Sequence, residues 1–83
     1  MKLTVAQAVA KRLQDLMEEK GVTVEGLAEF THLSVNKVDK ILCAGYAEIA
    51  INNVFTLCRA MDISLQEFYG DQLFDEENLA LED

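Results

Sequence analysis

Residues 24–41, "VEGLAEFTHLSVNKVDKI", set two short apolar patterns on either side of a polar turn. Leu27 and Ala28 precede His32, Leu33 and Ser34, and Val38 and Ile41 follow. Apolar residues recurring at steps of three and four gather on one face of a helix. Thr23 and Ser34 stand where a side-chain oxygen satisfies the free N–H groups of a first helical turn. The stretch therefore predicts two helices joined by the three-residue turn His32-Leu33-Ser34. Ala28 is small enough to let them approach, Leu33 plugs the turn, and Val38 and Ile41 close a shared core.

Helix signals continue in both directions. Upstream, Thr4 and Gln7 fit a capping box, Ala6, Val9, Leu13, Leu16 and Met17 form a helical stripe, and Gly21 supplies a stop. The second helix carries Leu27, Ala28 and Phe30, and the third carries Val38, Ile41 and Leu42 and ends at Gly45. After the connection "YAEIA", a fourth helix presents Ile51, Val54, Phe55, Cys58 and Met61. Ser64 with Glu67 opens a fifth, bearing Leu65, Phe68, Tyr69 and Leu73. The expected fold is all-α, a compact bundle of about five short helices. Residues 1–74 are read as one domain and 75–83 as an acidic C-terminal tail that frays.

At about 100° per residue, the third helix has two faces. Val38, Ile41 and Leu42 gather on one, and Asn36, Lys40 and Cys43 on the other. Asp39 and Val35 flank one edge of the polar face, with Lys37 nearer the other edge. Such a face is an ordinary solvated surface in most amphipathic helices; here the preceding helix and tight turn give it a fixed direction.

Composition narrows the remaining classes. Eighty-three residues supply one small core and little room for a cofactor cavity. No apolar run approaches the roughly 20 residues that span a bilayer, and the N-terminus turns polar too early for a signal peptide. A soluble, cytoplasmic protein is expected, without a membrane partner. Cys43 and Cys58 are too few and too far apart for a disulfide framework or a metal knuckle, and no cofactor or metal is expected. The lone His32 has no nucleophile at a recognisable spacing, and no glycine-rich phosphate loop is present, so an enzyme is not expected.

The order Leu27-Ala28, His32-Leu33-Ser34, Val38 and Ile41, continued by "VFTLCRAMDISLQEF", resembles the Cro/C1-type (Xre family) helix-turn-helix domains over about residues 5–70. The resemblance implies a lambda-repressor-like fold that binds double-stranded DNA as a small transcriptional regulator, with the third helix in the major groove. Carried over by position, it implies that Val35, Asn36 and Lys40 lie nearest base edges and that Ser34 and Lys37 lie near phosphates. That chemistry is workable, because asparagine bonds an adenine edge, lysine donates to guanine and valine contacts a thymine methyl. Two positions depart from the pattern. Val24 stands where the family often has a phosphate-donating glutamine, and His32 replaces the usual turn glycine.

One short reading helix is a small interface, so a homodimer is expected, with Phe68, Tyr69 and Leu73 of the fifth helix as its seam. Charge supports the competing expectation. The chain carries 15 acidic against 7 basic residues, although six of the acids lie in residues 71–83 and residues 1–70 are at net −2. Lys2, Lys11, Lys20 and Arg12 are the bases that helix one could add beside Lys37 and Lys40. The alternative is a helix-turn-helix scaffold whose acidic surface binds another protein, as an antirepressor or accessory subunit does, with weak or no DNA binding.

Overall fold

The computed structural model describes residues 2–46 and 49–80. Among them are five α-helices: α1 (Val5–Lys20), α2 (Val24–Thr31), α3 (Val35–Leu42), α4 (Ile51–Ala60) and α5 (Leu65–Tyr69). Two 3-10 turns follow, at Gln72–Phe74 and Glu76–Asn78. The fold is the all-α one expected. Part of the "YAEIA" connection, residues 47 and 48, and the last three residues of the tail lie outside the described residues.

The helix starts are built from local hydrogen bonds. Thr4 Oγ1 accepts from the Gln7 amide at 3.1 Å while Gln7 Oε1 accepts from the Thr4 amide at 2.9 Å. Thr23 and Ser34 cap α2 and α3 by accepting from the amides of Gly26 and Lys37. Gly21, at φ 66°, ends α1 in the left-handed region. His32, at φ 63°, does the same for α2, so a non-glycine residue holds the turn at a cost of about 1–2 kcal/mol. The end of α3 differs from expectation. It is Ala44, at φ 54°, that takes the left-handed conformation, and Gly45 follows with its N–H donating to Lys40 O at 2.8 Å.

Val9, Leu13 and Leu16 of α1, Leu27 and Ala28 of α2, Val38 and Ile41 of α3, Val54, Leu57 and Cys58 of α4 and Phe68 of α5 form one core. Each large side chain buried there contributes about 1.5–3 kcal/mol. The α4 stripe is rotated from the expected one. Val54, Leu57, Cys58 and Met61 are buried, whereas Ile51 is 63% and Phe55 47% exposed. The helix has more apolar residues than one face holds. At about 100° per residue Phe55 falls roughly 110° from the centre of the buried four. Phe30, expected within the α2 apolar set, is 63% exposed. Among the described residues no helix is long and apolar enough to cross a membrane.

The C-terminal segment also departs from expectation. Leu73 lies beyond α5, in the first 3-10 turn. Residues 75–80 are held rather than frayed: Leu3 and Leu79 form a parallel bridge, in which the Leu3 amide donates to Asn78 O at 3.0 Å and the Ala80 amide to Leu3 O at 2.7 Å. Leu79 is buried. An apolar side chain among the acids anchors the segment beside the start of α1.

Candidate nucleic-acid interface

The turn and α3 are aligned by contacts from three directions. Thr31 Oγ1 donates to Leu27 O at 2.6 Å and accepts from the Leu33 amide at 3.3 Å, closing the α2–α3 turn. From α1, Gln14 Nε2 donates to Leu42 O at 2.7 Å and so caps the last turn of α3. Val38 and Ile41 are buried beneath. With its inner face packed and both ends fastened, α3 presents its outer face in one orientation.

That outer face carries Val35, Asn36, Asp39, Lys40 and Cys43, all exposed. Val35 is 41% exposed, enough for its methyl groups to meet an apolar atom outside the protein. Asn36 has both an amide donor and an acceptor to present. Ser34 is exposed at the helix start, where its oxygen accepts from the Lys37 amide at 3.1 Å. Lys37 is half-buried and lines a shallow groove with Ile41, Tyr46, Ile49, Ala50 and Asn53. The groove joins α3 to the N-terminus of α4, whose N-cap, Ala50, offers no side-chain cap to the first-turn N–H groups. A helix start with the positive end of its dipole thus sits beside Lys37, an arrangement suited to anions.

Lys40 does not extend freely outward. Its ammonium lies over the Tyr46 ring, 4.7 Å from the centroid. Neither Tyr46 nor Asn53 stood out in the sequence, because both approach α3 only through the fold of the α3–α4 connection.

The bases of α1 are largely committed elsewhere. Arg12 Nε donates to Phe68 O at 3.1 Å, Nη2 donates to Glu67 O at 3.0 Å, and Nη1 pairs with Asp71 at 3.3 Å. Arg12 therefore closes the C-terminal end of α5 and is withdrawn from any basic surface. Lys11 pairs with Asp15 at 3.0 Å on exposed α1. Val24 is half-buried against the core and provides no phosphate donor.

Of the three residues expected at a dimer seam, Phe68 is corrected. It is 0% exposed and stacks inside the core against Tyr69 and Phe74, with ring centroids 5.0 and 5.6 Å away. It has no surface left for a partner. Tyr69 and Leu73 are half-buried. Cys43 is exposed and Cys58 buried, and desolvation pushes the Cys58 thiol up to about 11 against an opposing pull from Arg12.

Comparison with curated proteins and with solved structures gives no match. Residues 12–72 match the family model described as Cro/C1-type HTH DNA-binding domain, and that stretch contains both helices of the turn, the groove beside Lys37 and the whole of α4 and α5. The chain belongs to the Cro/C1-type helix-turn-helix DNA-binding domains.

Proposed function

We propose that the protein is a cytoplasmic transcriptional regulator that binds duplex DNA sequence-specifically, as a homodimer, with α3 in the major groove. The observation that carries this reading is the fixed, two-faced α3, with Val35 and Asn36 exposed above a buried Val38 and Ile41. Val35, Asn36 and Lys40 are the base-reading residues, and Ser34 and Lys37 contact phosphates together with the N-terminus of α4. Two-fold pairing places two such helices about one helical turn apart, which compensates for a small single interface. Selection from random duplexes tests the proposal. Enrichment of a palindromic site, with affinity that falls steeply with added salt, is the expected result. Absence of both enrichment and salt dependence would overturn it.

One observation favours a second reading, the use of the scaffold for protein binding. Phe30, Ile51 and Phe55 are exposed on α2 and α4, and Phe30 and Phe55 line a groove with Thr31, His32, Asn52, Thr56 and Arg59. That lining contains no carboxylate, in a chain with 15 of them. Retention on heparin or DNA separates the two readings, because only a phosphate-binding surface releases counterions on association.

A further inference from the structure

We infer that Tyr46 is a positioning residue that turns Lys40 away from base edges and toward the sugar-phosphate backbone. The inference rests on the DNA-binding reading of α3 and reassigns one residue within it. Position on a helical wheel places Lys40 on the outer face with Asn36, where a freely extended side chain would meet bases. The structure directs it otherwise.

One contact holds the Lys40 side chain in this direction, and two features of Gly45 leave room for it. Its ammonium lies 4.7 Å from the Tyr46 ring centroid, within the range of a cation–π contact. Its stem occupies the space that a side chain at position 45 would need. A Cβ on Gly45 would meet Lys40 Cγ at 2.7 Å and Cε at 3.4 Å. Finally, the Gly45 amide donates to Lys40 O at 2.8 Å, which folds the chain after α3 back along the same turn. Gly45 has no positive φ, so its lack of a side chain serves space and not backbone conformation.

The direction matters because of what borders Tyr46. The ring that carries the ammonium also lines the groove of Lys37, Ala50 and Asn53, where α4 begins. Lys37 and Lys40 are three positions apart on α3, so they are neighbours on its surface. Two lysines and an α4 start without a side-chain cap therefore lie around one aromatic ring. Positive charge gathered in this way fits phosphate oxygens, which carry no sequence information. Base reading is left to Val35 and Asn36.

The test has one arm without DNA and one with it. In the free protein, the ε-methylene protons of Lys40 are expected upfield of those of Lys20, an exposed lysine of α1, because they sit in the ring current of Tyr46. Tyr46→Leu and Gly45→Ala should both abolish the shift, and Tyr46→Phe should keep it. With DNA, Lys40→Ala should weaken a selected site and random duplexes by the same factor and lower the log–log salt slope by about one. Tyr46→Leu keeps the charge, so it should weaken both duplexes evenly, by about threefold, at an unchanged slope, with Tyr46→Phe restoring wild-type binding. A loss confined to the selected site for Lys40→Ala would overturn this inference alone and make Lys40 a base reader. Absence of the ring-current shift would overturn it too. Failure of the wild-type protein to bind any duplex would overturn the DNA-binding reading, and this inference with it.

Discussion

Arg12 of α1 and Asp71, 59 positions apart, form an ion pair of 3.3 Å at the C-terminal end of α5. The same guanidinium donates to the carbonyls of Phe68 and Glu67. Lysine and arginine beside a helix C-terminus bond the free carbonyls and oppose the negative end of the dipole. One side chain thus ties the first helix to the last, in a chain where it would otherwise count as part of a basic surface.

Arg12→Ala is expected to lower stability by about 1.5–3 kcal/mol, since hydrogen bonds from a charged group are lost and two carbonyls lose their donor. Urea denaturation reads the change as a lower midpoint at an unchanged slope. DNA binding by the folded variant should keep its salt dependence. A reduced salt slope with wild-type stability would make Arg12 a phosphate contact instead.

Asn36→Ala and Val35→Ala should affect preferred and random duplexes differently. A lost base contact costs about 1–3 kcal/mol at the preferred site and little elsewhere. Lys37→Ala should weaken every duplex alike and reduce the log–log salt slope by about one. Titrations at several salt concentrations, run on a selected site and on a scrambled one, measure both effects. Equal losses on the two duplexes for Asn36→Ala would remove it from the reading face.

The acidic segment after residue 74, held beside the start of α1, is proposed to restrain DNA binding through the negative field it adds. Removing residues 75–83 is a poor way to examine this, because it also removes Leu79, which is buried at 8% exposure and bridged to Leu3. Loss of that burial should cost about 1.5–3 kcal/mol. Asp75→Asn, Glu76→Gln and Glu77→Gln together keep Leu79 and remove three charges. The triple variant should bind DNA more tightly at low salt, with the gain shrinking as ions screen the repulsion between these carboxylates and the phosphates. Equal binding by the two proteins at low ionic strength would rule out the restraint.

The proposed homodimer seam now excludes Phe68. Phe68→Ala should destabilise the monomer fold by about 3–5 kcal/mol through a core cavity, whatever the oligomeric state. If Tyr69 at the end of α5 and Leu73 in the turn after it form the seam, Tyr69→Ala and Leu73→Ala should shift sedimentation toward monomer at high micromolar concentration. Dimers that survive both substitutions would place the seam elsewhere.

Alkaline pH should destabilise the protein through Cys58. Burial raises its thiol from an ordinary 9.0 to about 11, so the folded state disfavours the thiolate more than the unfolded chain does. The associated stability is full below pH 9.0 and is lost as pH rises toward about 11. Burial raises the Tyr69 hydroxyl as well, with the same sign. Denaturation midpoints should therefore fall across that window. Cys58→Ala should flatten the fall, leaving only the part that burial of Tyr69 causes, because charge on Cys58 also raises the Tyr69 hydroxyl. An unchanged pH profile in Cys58→Ala would show that folding does not shift the thiol from its unfolded value.

The sequence by itself determined the helices and their order, because caps and apolar periodicity act within one or two turns. Thr4, Thr23, Ser34 and Ser64 each accept from an amide three positions onward, a geometry set by the local chain. The same short-range rules separated Val38 and Ile41 from Val35 and Asn36. Tertiary structure alone decided which apolar residues of α4 were buried, since Ile51, Val54, Phe55, Leu57, Cys58 and Met61 outnumber the places that one face provides. It also decided that Phe68 belongs to the core, that Leu79 anchors a segment of acids, and where Arg12 and Lys40 direct their charge. Those outcomes depend on which surfaces of distant segments meet, and a cation's partner is chosen by proximity after the core has packed.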